Sequence, residues 1–306
     1  MRSVDRRTFI RQTVRTTLAT AALGGVPLLD LFSLPALAAE GSPLAVRKGK
    51  EIPALVRETL SALGDIGQFV RSGETVVVKP NIGWDRSVEQ AANTHPAVVR
   101  TVVELCLEAG AKRVLVFDRS ANDPRRCYVQ SGIQQAVEGL RSDRVSVGHL
   151  DRRAFQDLDI KSGRELTRWS FYKPAVEADR LINIPIAKHH SLSVLTLGMK
   201  NIMGVIGGNR GGLHRNIAEA LADINTVVQS DLTLIDATRI LVANGPQGGR
   251  LEDVRVRDTL IASPDIIAAD AYAATLFGHR PEDIPTIVAG ARRGLGIIDL
   301  NKVRKV

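Results

Sequence analysis

Cysteine is scarce in this chain of 306 residues: Cys106 and Cys127 are the whole supply, and no Cys-x-x-C pair occurs. A cysteine-based zinc site is therefore excluded, and an iron–sulfur cluster would lack ligands. The pattern does not compel a disulfide, and Cys106, four residues after Val102 on an apolar helical face, reads as a small core residue. Aromatics are only 4% of the chain, and no basic block or aromatic-interleaved basic stripe follows residue 40, so nucleic acid is not an indicated partner. After that point no segment approaches the roughly 20 apolar residues needed to cross a bilayer. Missing too are a Gly-x-x-x-x-Gly-Lys-Ser/Thr loop, a Gly-x-Gly-x-x-Gly opening a helix and a Gly-x-Ser-x-Gly elbow. These absences argue against nucleotide-dependent kinases, dinucleotide enzymes and serine hydrolases.

What is present begins with an unusual N-terminus. Arg2, Arg6, Arg7, Arg11 and Arg15 form a basic region, Thr16 to Leu34 is rich in Ala, Leu and Gly, and Ala36-Leu37-Ala38 fits a small-x-small cleavage site. Within it, Asp5-Arg6-Arg7-Thr8-Phe9-Ile10-Arg11 matches a twin-arginine export signal, which predicts the twin-arginine machinery as a partner and a periplasmic or extracytoplasmic location. The expected organisation is a signal peptide over 1–38, a linker over 39–50 and a single α/β domain over 51–306, with a lobed middle at 119–175. Loss of the leader, with five arginines and two aspartates, takes the formal charge from +8 to +5.

The rest alternates helical and strand patterns. Ile52 to Leu63, Pro96 to Ala109, Ile217 to Val228 and Pro264 to Phe277 carry helical spacing, the last with Ser263 placed to cap it. Thr75 to Lys79, Arg113 to Phe117, Val145 to Val147, Arg180 to Ile184, Leu232 to Ile235 and Thr259 to Ala262 are short apolar runs of strand type. This order predicts an α/β fold with a mostly parallel sheet and helices on both faces, Rossmann-like but without a dinucleotide fingerprint.

In such sheets ligands collect at the carboxyl ends of the strands. That rule selects Lys79 and Asn81, Asp118, the segment Pro185 to His190, Asp236 and Ser263-Pro264-Asp265. Adjacent side chains on an extended segment point to opposite sides, so His189 and His190 do not share one ligand. Ten residues beyond His190 stands Lys200, and fourteen further on His214, in a stretch carrying Gly198, Gly204, Gly207, Gly208, Gly211 and Gly212. Backbone amides of such a loop can form an anion nest, with Lys188, Lys200, Arg210 and Arg215 adding positive charge. A divalent metal would need a carboxylate such as Asp118 or Asp236 to complete a pair of histidines. Asn93 or Thr94 is placed to cap the helix opening at Pro96, and His95, near its positive end, is expected to be neutral and able to serve as a general base, with capping and no chemistry as the alternative at this place. The catalytic candidates are thus His190, Lys200, Asp118 and Asp236. Those for ligand binding are Lys79, Asn81, Lys188, Gly207, Gly208, Arg210 and Arg215, and those for a metal are His190 and His214.

Five segments in order, VVVKPNIG (76–83), THPAVVRTVVELCLEAGAKRVLVFDRS (94–120), LINIPIAKHHSLSVLTLGMKNIMGVIGG (181–208), DLTLIDATRILVANGPQGG (231–249) and IASPDIIAADAYAATLFG (261–278), resemble the bacterial and archaeal family catalogued as domain of unknown function 362. Many members of that family carry ferredoxin-like cysteine clusters; this chain departs from them in having Cys106 and Cys127 alone. The stretch from His190 to Gly207 is also similar to a motif of the nickel-pincer lactate racemases. That likeness implies Lys200 as the anchor of a nicotinic-acid-derived cofactor, His214 as a nickel ligand and His190 as a group facing cofactor or substrate, although Met199 departs from the motif. Two functions are expected from these readings: an exported enzyme acting on a small anionic molecule, with metal or cofactor left open, or a non-catalytic protein that binds a ligand, a metal or a redox partner.

Overall fold

The computed structural model describes residues 41–306. The export signal over 1–38 lies outside the described residues. The segment expected as a linker holds a strand: β1, Pro43–Lys48, is hydrogen-bonded into the main sheet, with Leu44 and Ala45 fully buried. Its short apolar run, ended by Arg47 and Lys48, is too brief to separate from a polar linker, and only pairing with distant strands makes it regular.

Eleven further strands follow: β2 (Thr75–Pro80), β3 (Arg113–Val116), β4 (Val145–Val147), β5 (Phe155–Asp159), β6 (Arg168–Tyr172), β7 (Arg180–Ile184), β8 (Ile186–His190), β9 (Val194–Thr196), β10 (Leu232–Leu241), β11 (Val254–Ser263) and β12 (Arg304–Lys305). The main sheet has the order β12-β1-β11-β10-β7-β2-β3-β4. From β10 to β4 every pairing is parallel, whereas β11 runs antiparallel to both β10 and β1. The strand β8 continues beside β10 and carries β9 as an antiparallel partner. A separate two-stranded sheet, β5-β6, lies in the middle of the chain and touches the main body through Phe171 and Ile206.

The α/β expectation is met, and the reason is visible in β2. Val76 and Val78 point into one hydrophobic cluster and Val77 into another, all fully buried, so the strand is apolar on both faces. Each such side chain contributes about 1.5–3 kcal/mol of burial. One face is covered by α1 (Ile52–Ser61), α2 (Pro96–Glu108), α3 (Pro124–Gln130) and α4 (Ile133–Glu138), which contribute Leu55, Val99, Tyr128 and Ile133 to its core. The short helices α5 (Lys173–Glu177) and α6 (Gly198–Asn201) precede α7 (Ile217–Val227), α8 (Ile266–Thr275) and α9 (Pro285–Arg292), which cover the other face through Leu221, Ile267 and Ile287. Asp265, rather than Ser263, caps α8 by accepting from the Ala268 N–H at 2.9 Å, while the Ser263 hydroxyl accepts from the Asp265 N–H. Cys106 and Cys127 are both free and buried in the α1–α4 core. Among the described residues no helix is long and apolar enough to cross a membrane.

Candidate functional site

At the carboxyl end of the parallel strands lies a cleft of about 520 Å³, bounded by the loops after β2 and β3, the β8-β9 ribbon, α6 and residues 208–214. Lys188, Lys200, Arg119 and Arg210 line it, and Asp118 is the one carboxylate among its lining residues. That carboxylate is already engaged. The Lys79 ammonium, fully buried, lies 2.8 Å from Asp118 Oδ1, and the Ile82 N–H donates to Oδ2 at 2.7 Å. Burial still pushes the Lys79 ammonium below its ordinary range, with Asp118 opposing that shift. Gly204 permits this packing, since a Cβ there would stand 1.8 Å from Asp118 Oδ1 and 2.6 Å from Lys79 Nζ.

Strand alternation sets the floor of the cleft. Lys188 and His190, two residues apart on β8, share a face, and Thr196 on β9 stands directly opposite Lys188. All three line the cleft, and Thr196 Oγ1 is buried without a hydrogen-bond partner. His189 points the other way, and its Nδ1 accepts from the Gly245 N–H. His190 Nδ1 accepts from the N–H groups of Leu192 and Ser193 at 3.1 and 3.2 Å. That nitrogen therefore carries no proton, and the neutral ring holds its hydrogen on Nε2. Burial, then the charge of Lys200, pushes its pKa down to about 3, so the ring is neutral throughout the physiological range.

Lys200 is carried by α6. Asp270, buried in α8, accepts from the Gly198 and Met199 N–H groups at 2.6 and 3.0 Å and so fixes the first turn of that helix. Gly198 has to be glycine there, because a Cβ would come within 2.7 Å of Asp270 Oδ1. Burial pushes the Asp270 carboxyl up to about 7. The Lys200 ammonium makes one contact, 3.0 Å to the Met203 thioether, a weak acceptor. Burial, with Arg210 and Lys79 adding repulsion, takes its pKa down to about 8.

A run of amides connects the two lysines. Lys188 Nζ donates to Asn81 Oδ1 at 3.2 Å and to the Ala92 carbonyl. Asn81 Nδ2 donates to Asn201 Oδ1, Asn201 Nδ2 to Asn183 Oδ1, and Asn183 Nδ2 to the Gly198 carbonyl, at 3.0, 2.8 and 3.0 Å. Each amide is thereby oriented by the next. Burial, opposed by Asp118, takes the Lys188 pKa down to about 7.

Several amides of the glycine loop are engaged within the protein. The N–H groups of Gly207, Arg210 and Gly212 are donated to Ser170, Gly208 and Asn209, so side chains rather than these amides face the cleft. Arg210 donates to the Arg119 and Ser120 carbonyls, and Arg119 to those of Ile206 and Gly208. Both guanidiniums thus brace the loop while lending it charge. Gly208 lines the cleft, Gly207 packs on β6, and Arg215 is exposed outside the lining.

Asp236 is also outside the lining. It is fully buried and accepts from the His95 N–H, the Thr238 N–H and hydroxyl, and Arg239, which makes it a structural hub. His95 caps α2 through the Ala97 N–H, with a pKa lowered by burial and by Arg239. The cap is thus His95 rather than Asn93 or Thr94, whose side-chain oxygens accept from the Trp84 and Asn81 N–H groups instead.

The residues present do not make a metal centre. Among the described residues no group of three His, Cys, Asp or Glu is placed to hold an ion. His190, whose Nε2 bears the hydrogen, offers no lone pair to the cleft. His214 stacks on it at 5.9 Å between centroids, and its Nδ1 lies 3.1 Å from the Gly211 carbonyl, so only its Nε2 is available. Sequence patterns did not single out Thr196, Asn201 or Asp270, because their roles depend on strand pairing and helix contacts rather than on spacing.

A family model described as domain of unknown function (DUF362) matches residues 76–275. The chain is similar to a thylakoid-associated protein of Synechocystis sp., with 30% identity over 250 residues, 79% of this chain and 75% of that protein. Among solved structures it is similar to a Thermotoga maritima protein, with a TM-score of 0.43 and 13% identity over 76% of this chain and 61% of the other. It is also similar to the lactate racemase apoprotein of Thermoanaerobacterium thermosaccharolyticum, with a TM-score of 0.45 and 11% identity over 80% and 58%. The chain spans about three fifths of the length of each of these two structures. With the family model matching well over half of its length, the chain belongs to the domain of unknown function 362 family.

Proposed function

We propose that this protein is an exported enzyme that acts on a small anionic substrate held in the cleft between β8, α6 and residues 208–214. The observation that carries the reading is the charge balance: Lys200, Arg119 and Arg210 line the cleft beside Lys188, and its one carboxylate is already paired with buried Lys79. The donors left for a ligand are Lys200 Nζ, Thr196 Oγ1 and His190 Nε2. Isothermal titration of the folded protein with oxalate, a small dianion, is expected to show binding that weakens at least tenfold in Lys200→Ala, since a charge-assisted hydrogen bond contributes about 1.5–3 kcal/mol. Equal affinity in the variant, or a variant without native circular dichroism, would remove the assignment of Lys200 as a ligand group.

The leader supports export by the twin-arginine route and a periplasmic location for the mature chain. Replacing Arg6 and Arg7 by Lys is expected to leave the uncleaved precursor in the cytoplasmic fraction. Cleaved protein in the periplasmic fraction of that variant would argue against this route.

A further inference from the structure

We infer that Lys188 is the proton-accepting group of this cleft, oriented so that its amine lone pair faces the bound anion; the inference rests on the reading of the cleft as a substrate site. A neutral lysine has two N–H bonds and one lone pair. Both N–H bonds of Lys188 have acceptors in the protein, the Ala92 carbonyl and Asn81 Oδ1. The second acceptor cannot turn away, because the Asn81 amide is fixed through Asn201 and Asn183 to the Gly198 carbonyl. Lys188 lines the cleft and is paired in register with Thr196, whose hydroxyl is unpartnered, so the fourth position at its nitrogen is the one left for a ligand.

The surroundings of Lys188 suit that role. Of the charged groups around it, Lys200 and Lys79 disfavour its protonated form and Asp118 favours it. Neutral His190 is two residues along on the same face, and the Trp84 ring lies 6.0 Å from Nζ. With burial dominating, the pKa sits at about 7, near the value at which a base is most effective at neutral pH. The substrate class that fits is a small oxyanion bearing the proton to be removed, its charged end on Lys200, Thr196 and His190. The Lys188 amine takes the proton and becomes an ammonium. The electron pair of the broken bond stays on the substrate, where the added negative charge faces Lys200 and Arg210. Return of the proton to the product, or its release to water, restores the amine without any further reagent.

The test needs no substrate. The folded mature protein is treated briefly with acetic anhydride, which acylates neutral amines, across pH 5.5 to 10.5, and each lysine is read by peptide mass spectrometry. Exposed Lys48 and Lys161 are read in the same samples as references for the reagent. Lys188 should show a midpoint about three pH units below the ordinary lysine value of about 10.4. In Asn81→Asp a carboxylate placed beside the amine should raise the Lys188 midpoint by about one unit or more while leaving Lys48 and Lys161 unchanged. A Lys188 midpoint coinciding with those of the exposed lysines would overturn the inference. So would a Lys188 that stays unmodified at every pH where Lys161 reacts, because its lone pair would then not be presented. If oxalate binds through Lys200 while Lys188 fails this test, the anion site stands without the base. If Lys188 titrates as expected and oxalate does not bind, the reading of the ligand fails instead.

Discussion

Replacing Asp118 by Ala is expected to lower the free energy of unfolding by about 3–5 kcal/mol, the range for stripping one partner from a buried ion pair. Lys79 is fully buried and Asp118 is 4% exposed, so the pair is largely shielded from water. What remains for the ammonium is the Pro80 carbonyl at 2.8 Å. The same substitution frees the Ile82 N–H, which Asp118 Oδ2 accepts. The Coulomb attraction and the desolvation cost both disappear when both charges go, so adding Lys79→Met to Asp118→Ala should recover much of the loss. Urea unfolding of the two single variants and the double variant measures this. A single-variant loss below about 1 kcal/mol, or a double variant no better than Asp118→Ala, would show that the pair does not hold this end of the sheet. A carboxylate so occupied is a poor candidate for a mobile base, and its proposed place is structural, at the rear wall of the cleft.

The second large effect is on stability against pH. The folded pKa values of Lys188 and Lys200 are pushed down by burial to about 7 and about 8, whereas an unfolded chain holds lysine near 10.4. Between those limits the unfolded state binds more protons, so the slope of stability against pH is positive. Below pH 7 both lysines are protonated in either state and their unfavourable contribution is complete; it is relieved as the pH climbs towards 10. In Lys188→Met that contribution is absent. The stability difference between variant and wild type should therefore move in the variant's favour by about 2–4 kcal/mol on going from pH 9.5 to pH 6, at roughly 1.4 kcal/mol per unit of pKa shift. Lys200→Met should show the same trend, smaller. A difference that does not change with pH would mean that both amines titrate as ordinary surface lysines. The cleft thus holds its charges at a cost in stability, as ligand sites commonly do.

Much of this was legible in the sequence, for reasons that differ element by element. The run Val76-Val77-Val78 and the helical repeat from Pro96 fix their elements through periodicity alone, and their observed bounds, Thr75–Pro80 and Pro96–Glu108, lie within a residue or so of the pattern. The glycine-rich stretch pointed to Lys200 and Arg210, and the rule that ligands gather at strand ends to Asn81, Asp118, Lys188 and His190; all six line the cleft. That rule also selected Asp236, which the structure places against His95 and Arg239 instead. The difference is that β10 does not end at Ile235 but runs on to Leu241, carrying Asp236 into the sheet. The segment Pro185 to His190 reads as an extended stretch following β7, and its strand form depends on pairing with β9 and β10. Thr196 owes its place opposite Lys188 to the pairing of β9 with β8, which residue spacing does not encode.

The seat of β1 has a consequence in time. Its antiparallel partner is β11, Val254–Ser263, and its parallel partner is β12, Arg304–Lys305. At about 5–20 residues per second of synthesis, residues 43–48 leave the ribosome on the order of ten to forty seconds before β11 exists to receive them. The sheet therefore cannot close around β1 until β11 and β12 have been made. A factor that shields this early apolar segment would act before the protein has a cleft at all.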